Sequence, residues 1–171
     1  KIIPKLKAVL SEPAPEVQRE AAKAIAQFCF EIPDVEADML PFLTELLASN
    51  DESGRVGAAM SFAQLHFLRG KESLGPLLTT TYAGCADATN PRLRHANLVL
   101  LDLCAGIFKE DYAAHVLQTF TVLLRGCLDA DDIARKAAEY DFFMTVQFLN
   151  FSSFKQRQLA NLWILFALNG G

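Results

Sequence analysis

The sequence has no excess of positive charge, few glycines and prolines, and no long apolar run. Sixteen lysines and arginines stand against 20 aspartates and glutamates, a net charge of −4, whereas nucleic-acid binding depends on clustered basic residues. Nine glycines and seven prolines in 171 residues exclude collagen-like and low-complexity chains. The longest apolar run, residues 162–168, is far shorter than the roughly 20 residues that cross a bilayer. We therefore expect neither nucleic acid nor a membrane as a partner.

The sequence also lacks the common patterns of catalytic and metal sites. No two of the four cysteines form a C-x-x-C pair, which predicts reduced thiols in a cytoplasmic or nuclear protein. His66, His95 and His115 are too far apart in sequence for metal-ligand spacing. Neither a P-loop nor a nucleophile elbow is present. We therefore predict a protein that is not an enzyme, with no catalytic residues, no metal site and no cofactor.

The chain instead repeats itself. Residues 17–28 align with residues 54–65, at an offset of 37 (17 to 54). The preceding residues 3–10 align with residues 40–47 at the same offset. One offset that fits two separate segments indicates a structural repeat.

Each repeat unit reads as a helix, a short turn and a second helix, because apolar residues recur every 3.6 positions. Weaker copies of the second helix lie at 93–98 and 133–138, and a further helix is predicted at about 154–168. We predict an all-α protein with one array of units at about 1–33, 34–71, 72–110 and 111–150, and a partial unit at 151–171.

The residues of the first unit resemble the HEAT-repeat family. The similarity is carried by Ile3-Pro4, Leu6 and Val9-Leu10 in the first helix, by Pro15-Glu16-Val17, Ala21-Ala22 and Ala24-Ile25 in the second, and by their counterparts in the second unit. It covers essentially the whole chain but weakens in the last two units, where Asn97-Leu98 and Tyr140-Asp141 depart from the small-residue pattern. An armadillo assignment is the alternative, but no third short helix is evident in each unit.

The HEAT resemblance implies a right-handed α-α superhelix (an α-solenoid) of about four helix pairs plus a terminal helix. It also implies a non-enzymatic scaffold or adaptor that binds proteins along its concave face. Because neither end of the chain reads as a polar cap, we expect a segment of a longer solenoid; a short autonomous solenoid is the alternative.

Several functions remain open within this family. Importin-β-type nuclear transport receptors are one alternative, and the GTPase Ran would then be a partner. Phosphatase scaffolds, translation-control scaffolds and chaperone-like assembly factors share the same repeat. A different class is an α-helical enzyme, which would require perturbed titratable groups clustered in a cleft around His95 and Asp102.

The helical register predicts which residues of the second helices face outward. With Ala21 at the centre of the buried stripe, the opposite face becomes increasingly apolar along the array. An exposed apolar stripe would mark a groove for an amphipathic helix or an extended peptide; the alternatives are a shifted register or cover by missing repeats. The predicted partner-binding residues are Arg19, Lys23, Gln27, Val56, Met60, Gln64, His95, Val99, Asp102, Leu103, Arg135, Glu139 and Phe143.

A second pattern occurs at the turns. Asp51 and Arg55 are four residues apart, as are Asn90 and Arg94, at corresponding repeat positions. The HEAT resemblance implies that such residues form a polar ladder between adjacent units. Gln18 and Ala134 occupy the arginine position in the outer units, so we predict a partial ladder.

Overall fold

The computed structural model describes the backbone of residues 2–152 and the side chains of residues 2–146. The helix predicted at 154–168 lies outside these residues. Short 3-10 helices at Lys71–Ser73 and Lys109–His115 precede two of the α-helices. The α-helices are α1 (Ile3–Val9), α2 (Pro15–Glu31), α3 (Pro33–Leu47), α4 (Glu52–Arg69), α5 (Leu74–Cys85), α6 (Pro91–Phe108), α7 (Val116–Gly126) and α8 (Asp132–Ser152).

Prolines and capping side chains fix where the helices begin. Pro15, Pro33 and Pro91 are the first residues of α2, α3 and α6, where a missing backbone N–H costs nothing. Before α6, the Asn90 side-chain oxygen accepts hydrogen bonds from the N–H groups of Arg92 (3.0 Å) and Leu93 (3.2 Å). These interactions satisfy donors that have no partner within the helix.

The helices pack as consecutive pairs. Each of α2, α4, α6 and α8 packs against the helix that precedes it, and these four second helices also stack on one another in chain order. The buried apolar residues form one continuous core that runs through all four pairs. The predicted all-α class is thus confirmed for residues 2–152. The superhelix, its hand and the unit boundaries remain predictions.

Small residues bring α2 and α4 close together. Ala21 and Ala22 of α2 and Ala58 and Ala59 of α4 are all buried. A Cβ atom on Gly57 would lie 2.5 Å from the carbonyl oxygen of Leu10, so only glycine allows this approach. The C-terminal end of α1 therefore packs directly against α4.

Two further observations concern membranes and thiols. Along the described part of the chain, no helix combines the length and the apolar character needed to cross a bilayer.

All four cysteines are free thiols; Cys29 and Cys104 are buried, and Cys85 and Cys127 are half-buried. Burial raises the pKa of the Cys104 thiol to about 12, so this cysteine is a core residue in chemical terms. The predicted cytoplasmic or nuclear location remains a prediction.

Candidate partner-binding face

Three arginines occupy the same position at the start of their helices. Arg55, Arg94 and Arg135 each lie four residues after the residue that precedes α4, α6 or α8. Each donates from Nη1 to a carbonyl oxygen of the preceding turn: Arg55 to Ser49 (2.9 Å), Arg94 to Asp87 (2.9 Å) and Arg135 to Asp129 (3.0 Å). The arginine position of the fourth unit is therefore occupied by Arg135. Ala134, predicted there from the sequence, is fully buried.

These positions also link each helix pair to the next. Arg94 holds the carboxylate of Asp129 through Nε (2.6 Å) and Nη2 (2.8 Å), and this pairing lowers the pKa of Asp129. Arg55 Nε lies 3.4 Å from His95 Nδ1 on the next second helix. In the first unit, Gln18 Nε2 donates to the carbonyl oxygens of Leu10 and Ser53, both at 2.6 Å.

Of the other two residues of the predicted ladder, Asp51 bonds to the turn of the preceding unit and to its own turn, whereas Asn90 acts within its own turn. The pKa of Asp51 is lowered first by a hydrogen bond from the Ser11 side chain and then by the backbone N–H of Gly54, with Arg55 a smaller cause. Asn90 caps α6, and the carboxylate partner of Arg94 is Asp129 in the following turn.

The solvent side of the four second helices, called here the second-helix face, is polar on α2. Arg19, Lys23 and Gln27 are exposed there. On α4 and α6 the predicted apolar residues are less exposed than the sequence pattern predicts, because Met60, Val99 and Leu103 are half-buried and pack against the core. Val56 and Gln64 are also half-buried. His95 is only 7% exposed, so it faces the seam between helices.

The register of α8 differs from the predicted one by one residue. Because Arg135 takes the arginine position, the outward positions equivalent to His95 and Val99 fall on Lys136 and Tyr140, not on Arg135 and Glu139. Glu139 is nonetheless exposed, and Phe143 is 58% exposed. Up to residue 146, the large apolar side chains exposed on this helix are Ile133, Tyr140, Phe143 and Met144.

A groove of about 420 Å³ lies between α6 and α8. We call it the α6–α8 groove. It brings together three of the predicted residues (His95, Val99 and Asp102), which face side chains of α8. Its lining residues are Glu52, His95, Val99, Asp102, Ile133, Lys136, Ala137, Tyr140 and Asp141.

The groove contains titratable groups with shifted pKa values, and the shift is large for Asp141. Burial, with the Asp102 carboxylate as a second cause, raises the pKa of Asp141 to about 9. Burial also raises the pKa of Asp102. The pKa of His95 is lowered by burial and then by the Arg55 guanidinium. At neutral pH the structure therefore favours a protonated Asp141 and an uncharged His95.

This cluster is the feature that the enzyme alternative requires around His95 and Asp102. The same groups fit the binding of a partner equally well, since buried carboxyl groups provide both proton transfer and hydrogen bonding. Tyr140 supplies the one hydroxyl group among the lining residues. Within residues 2–146, no group of three or more histidine, cysteine, aspartate or glutamate side chains is arranged to hold a metal ion.

A second cavity, of about 510 Å³, lies between α3, α4, α5 and α6 and was not predicted from the sequence. Its walls are mainly apolar, with Thr80, Thr81 and Asn97 among the polar lining residues. His66 also lines it, and burial lowers the pKa of this histidine. The cavity arises from how the first helices α3 and α5 pack, which no residue pattern within a single helix predicts.

Comparisons with known proteins give one distant similarity. The chain is 27% identical over 146 residues to the stalled ribosome sensor GCN1 of mouse and to that of human. The match covers 80% of this chain but only 5% of those proteins. No protein-family model matches the chain, and no solved structure matches it. The similarity is compatible with protein partners and gives no support to the importin-β-type alternative or to Ran.

Proposed function

We propose that this chain is a HEAT-like segment of a protein-interaction scaffold. Its second-helix face binds a segment of a partner protein, centred on the α6–α8 groove. The observation that carries the proposal is this groove, where buried polar groups lie beside large apolar side chains that remain exposed. Tyr140 and Phe143 are each 58% exposed, and aromatic anchors beside a concave site are typical of protein interfaces.

The similarity to stalled ribosome sensors supports a narrower proposal about the partner. The partner would be a protein of the stalled ribosome, or a protein bound to it, and the segment would then act in the cytoplasm. Binding along the second helices leaves the outer layer of first helices free for other contacts.

The test is co-sedimentation of the purified chain with ribosomes stalled in a translation extract. The variant Tyr140→Asp with Phe143→Asp should weaken binding by about tenfold or more, because both rings leave the interface. Met60 and Leu103 are unsuitable test positions, since they pack on the core. The matched control is Leu117→Asp on first helix α7, at a leucine that is 61% exposed. Circular dichroism checks that both variants fold.

Two results would contradict the proposal. Equal binding by the wild type and the Tyr140→Asp, Phe143→Asp variant would exclude this part of the second-helix face as the binding surface. No co-sedimentation of the wild type would exclude the stalled ribosome as the partner.

A further inference from the structure

We infer that the α6–α8 groove receives an arginine side chain of the partner, whose guanidinium group binds between the carboxyl groups of Asp102 and Asp141. This inference rests on the proposed binding role of the same groove. It adds the chemistry that the partner segment must present.

The first observation is an incomplete set of hydrogen bonds at Asp141. This residue is only 4% exposed, and its Oδ2 atom has no hydrogen-bond partner among the residues that the structure describes. A buried polar atom without a partner costs folding free energy, so such atoms are rare and often mark a binding site. Asp141 also lines the groove, so a cationic ligand there, which favours the ionised carboxylate, can supply the missing donor.

The second observation is that a carboxyl group from the neighbouring helix faces the same space. Asp102 of α6 lines the groove opposite α8 and is close enough to raise the pKa of Asp141. Glu52, at the start of α4, adds a third carboxylate to the lining. Lys136 also lines the groove, but no ion pair or hydrogen bond joins it to either aspartate within residues 2–146. Neither aspartate of the groove therefore has an ion-pair partner within this part of the chain.

The walls of the groove favour arginine among the cationic groups. A guanidinium group presents five N–H donors in a plane and is less strongly hydrated than an ammonium group. Val99, Ile133 and Ala137 provide apolar walls for the methylene groups of its side chain. The half-exposed Tyr140 ring lies where a guanidinium group entering the groove can stack. A metal ion fits less well, because the described residues offer no cluster of three metal ligands.

The test uses small probes, so it does not depend on knowing the partner. N-acetyl-arginine methylamide is titrated into the ¹⁵N-labelled chain and followed by NMR. The citrulline analogue, which has nearly the same shape but no charge, is the matched probe. We expect saturable shifts at Asp102, Tyr140 and Asp141, and binding of the citrulline analogue that is about tenfold weaker.

Variants assign the effect to the two carboxyl groups. Asp102→Asn should weaken arginine binding by about tenfold, because it removes a charge-assisted hydrogen bond. Asp141→Asn should weaken it by a similar factor, because a bound guanidinium group favours the ionised carboxylate, which asparagine cannot supply. Glu45→Gln, at an exposed carboxylate on α3, should leave it unchanged. Asp102→Asn, at a less buried carboxyl group, tests the site without a change in the core around Asp141.

Three results would overturn the inference: no saturable shift at the groove, equal binding of arginine and citrulline probes, or full binding by both aspartate variants. Equal binding of the lysine analogue would overturn the assignment to a guanidinium group. If the wild-type chain does not bind the arginine probe but still binds stalled ribosomes, only this inference is refuted. Probe binding without ribosome binding refutes only the proposed ribosomal partner.

Discussion

The seam between α2 and α4 and the seam between α6 and α8 are formed by equivalent helices but filled differently. At the first seam, buried alanines allow close packing of the two helices, and Gly57 beside them lets the end of α1 pack against α4. At the second, Asp141 lies ten residues after the cap residue (131 to 141), where α4 has Ser61 (51 to 61). Ser61 satisfies itself by donating to the carbonyl oxygen of Gly57 (2.9 Å), whereas Asp141 retains an oxygen without a partner in the described residues.

The difference shows how one repeat can serve two purposes. A seam of small residues maximises packing and rigidity. A seam that carries a buried carboxyl group loses stability, and that loss is typical of a site shaped for binding. The candidate site thus lies mainly in the second half of the chain.

The largest predicted effect breaks the tight seam. Gly57→Ala should lower the free energy of unfolding by about 3 kcal/mol, because the added Cβ would meet backbone atoms of Leu10 that cannot move aside. Gly106→Ala on α6 is the control, since a Cβ there meets nothing within 4 Å. That control should stabilise the helix by up to about 1 kcal/mol. Urea denaturation measures both, and equal effects would contradict the described packing of α1 on α4.

How much of this contrast follows from the sequence depends on how local each feature is. The helix pairs follow from apolar spacing within single helices, and the all-α prediction is confirmed over the described residues. The register of α8 was misassigned because residues 133–138 were aligned by similarity of type. Counting four residues from the cap Asp131 places Arg135 correctly, and Asp131 Oδ1 does accept from the N–H groups of Ile133 and Ala134.

The groove itself was only partly accessible to sequence analysis. His95, Val99 and Asp102 were predicted from the register of α6, but Lys136 and Tyr140 were missed with the register of α8. In the sequence, Asp141 stands out only as a departure from the small-residue pattern. Its burial depends on how closely α6, α7 and α8 pack against one another. No pattern within a single helix predicts that packing.

The second prediction concerns the seam between α6 and α8 and how its stability responds to pH. The pKa of Asp141 is raised to about 9 in the folded state, so folding takes up a proton when the pH exceeds the unfolded pKa of about 4. The stability linked to this group is complete below about pH 4 and is lost as pH rises towards 9. Asp141→Asn should therefore stabilise the chain at pH 7, by about 2 kcal/mol.

The measurement is urea denaturation of wild type and Asp141→Asn from pH 5 to pH 9. The gain from the substitution should grow with pH. Of the groups around Asp141, Asp102 is the charged neighbour; burial raises the pKa values of Cys85, Cys127 and Tyr112, which remain neutral over most of this range. Glu139→Gln, on the exposed side of the same helix, is the control and should show no such trend. If the stability gained by Asp141→Asn does not change with pH, Asp141 is not protonated in the folded chain.

The smallest predicted effect compares the links between units. Arg94→Lys should cost about 1 kcal/mol, because lysine cannot reproduce the two-pronged contact with Asp129. Arg92→Lys, at an exposed neighbour on α6, should change stability little. A double-mutant cycle with Asp129→Asn isolates the pair, and a coupling near zero would mean that the bridge contributes nothing to stability.

Salt then distinguishes the two kinds of link. The Arg94–Asp129 bridge joins opposite charges that keep some exposure, at 15% and 10% of their side chains, so its coupling should weaken by a few tenths of a kcal/mol between about 0.1 and 1 M salt. Gln18 joins the first two units through neutral hydrogen bonds to Leu10 and Ser53. The cost of Gln18→Ala should therefore be insensitive to salt. If salt changes the Arg94–Asp129 coupling and the cost of Gln18→Ala by the same amount, the links in the two halves of the chain do not differ in ionic character.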